Sequence, residues 1–597
     1  MWFLCFFASI LSFAVFALVA LAIHNSRFTE RHRFSLFYAL LGGTVLSALF
    51  LFFPVHYAQS ASSLGGVLRA ALLAVFNSMQ IFGMGCEFSV VLDGLAYCHP
   101  DLVLPYQIWT GALFVLAPAF TFSFVLALFK NLSASIAYGL AYWRDVYVFS
   151  DLNERSLALA TDIKQKHPRA VLCFAGVLKK DDESAYELFE QARQLHAICF
   201  RHDLLSVRWD RHSVKTSIRF FAIHRSEDEN LNQALQLIEA YRHREGTHLY
   251  VFSTRIEAEL LLSSVNKGAI RVRRINEVQS LVNRVLYEQG DEIFRSAIAG
   301  EDGEAGISAV IVGLGMHGTE MLKALSWFCQ MDGYRLKIRA FDKDPLAGDQ
   351  LAVRAPELLS PHYNGRAIPG EAQYDIAIRS DMDVRAAAFA DAIREISDAT
   401  YVFVCLGSDS LNVSTAVNLR MYFERMGTHP VIQAVVYSPR QRKALEDLRN
   451  FRQQPYDIQF IGDVESSYTE EVIVGTELER QALSRHLKEN RPEEDFWNFE
   501  YNYRSSVASA IHFKARVLCG IKGAGKREED LTADERQIIE SLEHRRWNAY
   551  MRAEGYIYSG SSDPATRNDL AKMHHDLVSF DQLDEAEKRK DGRVGTL

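Results

Sequence analysis

The sequence predicts an α-helical membrane domain followed by α/β units of the doubly wound kind and a small, mainly α C-terminal module. Three observations carry that class. The first 142 residues are dominated by long uncharged runs, whereas everything after Trp143 has the charge density of a water-exposed protein. Between 143 and 480, short apolar runs alternate with helix-type periodicity, as strands and helices taken in turn require. Beyond 500, a stripe of helical spacing (Ile539, Leu542, Ala549, Tyr550) replaces the strand pattern. A chain of 597 residues has room for about four units. The boundaries fall at 1–142, 143–300, 301–480 and 481–597. A net charge of −9 without a basic patch points away from nucleic acid. The 8 cysteines form no Cys-x-x-Cys pair, so no metal site is expected. Cys173 and Cys405 read as buried thiols, and Cys86 and Cys98 as disulfide candidates only in an oxidising compartment.

Residues 2–23, 36–55 and 108–129 are uncharged and long enough to cross a ~30 Å hydrocarbon core. The first lacks a basic start and a cleavage site, so it reads as an anchor. The loop "HNSRFTERHRF" (24–34) carries Arg27, Arg31 and Arg33, while "QSASSLGG" (59–66) is uncharged. Charge asymmetry puts the first loop in the cytoplasm and the second outside, with the polar remainder inside. The apolar stretch near 67–97 then reads as a re-entrant element. A fourth full span is the alternative, and it puts three arginines outside. This stretch contains "QIFGMGCEFSVVLDG" (80–94), where Gly83, Gly85 and Glu87 are the pore candidates. It lacks the Thr-Val-Gly-Tyr-Gly pattern of potassium filters.

In "DVYVFSDLNERSLALATDI" (145–163) a strand-type run precedes a helical pattern, and further strands are expected at 170–175, 218–223, 248–253 and 269–272. Where a nucleotide fold places glycines, this turn has Asp151, Asn153 and Glu154. The unit has the fold pattern without phosphate-binding chemistry.

"SAVIVGLGMHGTEMLKAL" (308–325) restores that chemistry through Gly313, Gly315 and Gly318. The first glycine permits the tight turn and the second admits a pyrophosphate to the backbone. The third allows close helix–strand packing. The next strand, "LKIRAFDKDP", ends in Asp342, where an adenosine ribose would be gripped. Later strands are expected at 401–407, 431–437 and 457–462. Both units read as Rossmann-like. NAD or a related adenine nucleotide is the expected small ligand, held by Gly313, Gly315, Gly318, Asp342, Gly407 and Asp409. His317 reads as a turn residue.

The steps "HRSEDENLNQAL" (224–235) and "LGSDSLNVSTAVNLR" (406–420) place an acidic-x-x-Asn step at a helix start. With the degenerate "FSDLNERS" turn, they make both units resemble TrkA-N (RCK-type) domains. The layout of membrane region plus paired units is similar to CASTOR/POLLUX-type channels. That resemblance implies regulation by a bound nucleotide or ion and no redox turnover.

Further on, "YRSSVASAIHFKARVLCGIKG" (503–523), "IIESLEHRRWNAYMRAEGYIYSG" (538–560) and "LAKMHHDLVSFDQLDEAEKRKD" (570–591) resemble the RyR domain of bacterial proteins that also carry TrkA-N domains. The matching positions are Glu543, His544, Arg546, Trp547, Gly555, His574, Leu577, Asp581, Leu583, Lys588 and Asp591. Tyr556 stands at a usual Trp, and His575 and Ser579 at usual prolines. His544, Arg546, Trp547, Tyr558 and His574 are the ligand candidates, able to sandwich an adenine-like ring and reach a phosphate. "GIKGAGKR" (520–527) has P-loop spacing but ends in Arg527 where Ser or Thr would hold Mg²⁺.

The expected function is a ligand-gated, homo-oligomeric membrane protein, an ion channel or pore-forming effector of the bacterial inner membrane, with cations as the ions it would conduct. Bacterial antiviral defence is the expected setting. In an oligomer Glu87 would form a carboxylate ring. A non-conducting membrane-anchored sensor is the alternative. A membrane-anchored NAD-dependent enzyme is a third reading, for which no grouping of catalytic residues is found.

Overall fold

The computed structural model describes residues 1–25, 33–60, 63–128, 130–177, 183–209, 215–301, 303–359, 362–363, 366–367 and 374–596. Arg27 and Arg31 of the basic loop lie outside them. The chain divides into two compact units, Met1–Ala137 and Tyr138–Leu597.

Among the described residues, the N-terminal unit is built of helices and turns, with no strand. Among the described residues, four helices are long and apolar enough to cross a membrane, through Trp2–Val19, Leu40–Ala58, Leu64–Gly83 and Pro100–Phe122. Polar side chains join them inside the bundle. Ser9 Oγ donates to the Ser47 carbonyl at 2.7 Å, and Trp109 Nε1 donates to Ser9 Oγ at 2.9 Å. The stretch expected at 67–97 comprises helix Leu64–Gln80, a 3₁₀ turn Ile81–Gly83, a bend, and helix Ser89–Leu95. The glycine at its close helix contact is Gly94, where an added Cβ would lie 2.5 Å from Val55. All 8 cysteines are free thiols.

The first α/β sheet runs through β1 (Val146–Phe149), β2 (Val171–Phe174), β3 (Ile198–Cys199), β4 (Ile218–Ala222), β5 (Thr247–Phe252) and β6 (Arg271–Ile275). All pair in parallel, in the order β3-β2-β1-β4-β5-β6. Helices cover both faces, so β1 and β2 are apolar at every position.

The second sheet repeats that order. Its strands are β7 (Ile298–Ala299), β8 (Ala305–Val312), β9 (Tyr334–Phe341), β12 (Tyr374–Arg379), β13 (Tyr401–Val404), β14 (Val431–Val435) and β15 (Ile458–Ile461). A separate hairpin pairs β10 (His362–Tyr363) with β11 (Arg366–Ala367). The sheet order is β12-β9-β8-β13-β14-β15, with β7 antiparallel on β8.

Two connections lock these units together. Helix Glu277–Arg295 leaves the first sheet and packs on helix Met316–Phe328 of the second, where an added Cβ at Gly290 would come within 2.4 Å of the Phe328 ring. After β15 the chain returns, and Tyr468 and Ile473 enter the core of the first unit. There the Glu470 carboxylate meets His167 at 3.0 Å, and the Glu470 N–H donates to Asp162 at 2.7 Å.

The segment after 480 shares its core with the second sheet. Helices Glu500–Leu518 and Ala533–Ala553 place Ile511, Leu542 and Tyr550 in one apolar cluster with Met321, Leu325 and Trp327. Each large apolar side chain buried there contributes about 1.5–3 kcal/mol. The remaining strands, β16 (Ile557–Tyr558) and β17 (Met573–His574), form a short parallel pair.

Candidate functional site

The glycine turn follows β8. Gly313 adopts φ +97°, and a Cβ on it would sit 2.5 Å from the Cys405 carbonyl oxygen. A Cβ on Gly318 would lie 1.8 Å from the Gly313 carbonyl oxygen, so only glycine lets the helix approach this strand end. Gly315 differs from both, because nothing lies within 4 Å of its Cβ position. It caps helix Met316–Phe328, and no side chain satisfies the first N–H groups there. The result is an open cradle at the positive end of a helix dipole, which fits a pyrophosphate. Such a group, when bound, would supply the negative charge these donors lack.

Asp342 stands beside this turn, though its carboxylate serves the backbone. One oxygen accepts the Leu314 N–H at 2.5 Å and the other accepts the Asp344 N–H at 2.7 Å. A ribose would therefore meet a carboxylate already oriented by the turn. Gly407, at φ +80°, leaves open space at the end of β13. Asp409 accepts from the Tyr437 and Ser438 N–H groups, both at 3.0 Å, and so clamps the β14 exit. His317 sits at the helix start with Nδ1 3.4 Å from the Tyr437 hydroxyl, and burial lowers its pKa.

The acidic-x-x-Asn step is the same device in both units. Asn412 accepts the Leu406 N–H at 2.5 Å and donates to the Val435 carbonyl at 2.7 Å. Asn230 accepts the His224 N–H at 2.6 Å and donates to the Phe252 carbonyl at 2.9 Å. Each asparagine ties the exit of one strand to the exit of the next.

In the first unit the turn is filled from within. Asn153 caps helix Glu154–Lys166 by accepting the Ser156 N–H, and its amide donates to the Ile223 carbonyl at 2.9 Å. Ser150 Oγ accepts the Ile223 N–H at 2.8 Å. The Ser156 N–H at this helix start is thus already taken, and the side chains of Ser150 and Asn153 occupy the turn. A cleft of about 670 Å³ nevertheless runs between the units, with Arg155, Arg225 and Ser253 on one wall and Met316, His317 and Tyr437 on the other. Its first-unit wall draws on the "FSDLNERS" and "HRSEDENLNQAL" stretches, with Phe252, Ser253 and Thr254 added from the exit of β5.

The C-terminal pocket, about 130 Å³, brings together His544, Arg546, Trp547 and His574. Tyr558 is not among its lining residues; its N–H donates to Glu357 at 3.0 Å. Spacing on helix Ala533–Ala553 puts His544 beside Trp547, with ring centroids 5.9 Å apart. His574 meets the Trp547 ring edge-on at 5.0 Å. The tryptophan thus already has aromatic partners, and the expected ring sandwich is not preformed. Asp591 and the Val578 carbonyl fix the His544 ring at 3.2 and 2.9 Å. His574 Nδ1 accepts the Asp576 N–H at 3.1 Å, so its proton lies on Nε2. Burial, then Arg567, holds the His574 pKa down at about 3. His574, His575 and Asp576 gather within 4.8 Å of one another. In this tautomer, however, His574 offers a donor rather than a metal-binding lone pair. Arg485, from helix Thr476–Lys488, also lines the pocket and carried no motif.

At the pore candidate, neither glycine takes a left-handed conformation. Met84 does, at φ 57°, while the Gly85 N–H closes the helix end on the Gln80 carbonyl at 3.0 Å. Nothing lies within 4 Å of a Cβ on Gly83. Glu87 is exposed, and Ser89 Oγ donates to its carboxylate at 3.2 Å. The bend is therefore made at Met84.

No protein-family model matches the chain, and no match to it is found among curated proteins.

Proposed function

We propose that this chain is a nucleotide-regulated membrane protein, acting as a homo-oligomeric cation channel or pore-forming effector. The observation that carries the reading is the uncapped helix start at Gly315, open to an anion, in a chain with four membrane-length apolar helices. In this reading the α/β units are TrkA-N (RCK-type) regulators and 481–597 is a RyR-like sensor. NAD or a related adenine nucleotide binds the glycine turn with different affinity in two arrangements of the α/β units, and that difference drives the membrane region. The polar part faces the cytoplasm of a bacterial inner membrane, and bacterial antiviral defence is the setting proposed. Glu87, exposed and repeated around an axis, would favour cations.

The test is nucleotide-dependent cation flux from liposomes. Wild type should respond to NAD, and Gly315→Asp should lose the response, because a carboxylate fills the cradle. Flux that is unchanged by both nucleotide and substitution would contradict the coupling. The second reading, a non-conducting anchored sensor, is favoured if NAD binds and no conductance appears.

A further inference from the structure

The densest unsatisfied charge in the α/β part lies behind the C-terminal pocket. Three guanidiniums, from Arg485, Arg516 and Arg546, surround the single carboxylate of Glu543, and they are exposed by only 6%, 0% and 2%. Arg516 Nη2 donates to Glu543 at 2.7 Å and Arg546 Nη2 at 2.9 Å. Arg485 donates instead to the Val594 carbonyl and lies over the Phe513 ring at 3.8 Å. It has no carboxylate partner among the described residues. Arg546 Nη1 and Arg516 Nη1 and Nε make no hydrogen bond among the described residues.

Burial would raise the Glu543 pKa, but Arg546 and Arg516 overcome it and hold the carboxyl at about 2. Around Glu543 itself, one full negative charge therefore faces three positive ones. The other acids of the pocket wall have partners of their own: Glu489 pairs with Arg491, Asp576 with His575, Glu587 with Lys590 and Asp591 with His544. Burial and the neighbouring Arg516 push Arg485 down to about 9, still charged at neutral pH. Buried guanidinium donors left unpaired are costly, and a protein keeps them where something else completes them.

The pocket supplies the place. Arg485 and Arg546 line it from one side and His574, with its Nε2 proton, from the other. Its volume of about 130 Å³ is several times the ~30 Å³ share of one water. We propose that this pocket binds the phosphoryl group of a small phosphorylated molecule, with Arg485 and Arg546 as charged donors and His574 as a neutral one. The site is separate from the glycine turn, and it rests on the reading of 481–597 as a sensor. The anion offsets the surplus positive charge, so binding stabilises the core that this module shares with the second sheet. Free phosphate and a phosphate ester with a planar base share this chemistry.

Full-length protein carrying Gly315→Asp, which silences the glycine turn, is titrated calorimetrically with inorganic phosphate, adenosine 5′-monophosphate and adenosine. The monophosphate should bind and raise the melting temperature, and adenosine should not. Binding of inorganic phosphate as well assigns the anion alone, and its failure to bind assigns the ester; both support the site. Arg546→Gln and Arg485→Gln should each weaken binding about tenfold or more. The proposal is overturned if neither phosphate compound binds, or if binding is equal in the arginine variants. Wild type that still binds NAD in those cases keeps the glycine-turn reading and loses only this one.

Discussion

The two α/β units share one strand order and one asparagine clamp, yet their first turns are built in opposite ways. In the first unit, Ser150 and Asn153 spend their side chains on Ile223 and on the helix start. In the second, Gly313 and Gly318 remove every side chain that would close the turn, and the N–H groups beyond Gly315 are left without a cap. The contrast separates what a doubly wound sheet needs from what a phosphate needs. The sheet needs its strand exits tied, which Asn230 and Asn412 do in both units. A phosphate needs room at the helix start, and the glycine turn of the second unit leaves it open where Ser150 and Asn153 fill the first.

The comparison breaks most visibly at Gly318. Gly318→Ala forces a Cβ to 1.8 Å from a backbone oxygen, and should cost about 3 kcal/mol or more. Chemical denaturation followed by tryptophan fluorescence reads this. Next come the clamps. Asn412→Ala and Asn230→Ala each leave a buried N–H and a carbonyl unpaired, for about 1–3 kcal/mol apiece. Equal losses would sharpen the claim that the clamp is a shared device, whereas a loss confined to Asn412 would break it.

Acid gives a smaller distinction. In the first unit, burial and then Arg219 and Arg271 hold the His248 pKa at about 4, against an ordinary 6.5. The unfolded chain takes up that proton first, so the contribution is complete above 6.5 and is lost as pH falls toward 4. The melting temperature of His248→Gln should therefore fall less steeply than that of wild type across that window. Parallel slopes would contradict the assignment.

Much of this was legible because short-range chemistry decides it. Alternating apolar runs located β1, β2, β4 and β5, and three glycines with a following aspartate marked the turn. Two edge strands, β3 and β12, escaped for physical reasons. β3 has only two residues, and β12 alternates between half-buried and exposed positions. Asp409 looked like a ligand contact, but both oxygens are taken by N–H groups 28 and 29 residues away. His544 and Trp547 came together from their helical spacing, His574 was reached only through the resemblance, and Tyr558 lies outside the pocket. Arg485 could not be foreseen, since it reaches the pocket from a helix outside the recognised motifs. In the N-terminal unit, Gly83 and Gly85 were the glycines singled out by the sequence. The left-handed residue is Met84, and the glycine that permits close packing is Gly94.

The most direct test of the open-turn account is calorimetric titration of full-length protein with NAD, comparing wild type, Gly315→Ala and Gly315→Asp. Gly315 has φ −63° and nothing near its Cβ position, so Gly315→Ala should change stability by no more than about 0.5 kcal/mol. The account predicts binding in wild type, weakened binding in Gly315→Ala and none in Gly315→Asp, with all three melting alike in the absence of NAD. Equal NAD affinity in wild type and Gly315→Asp would contradict it.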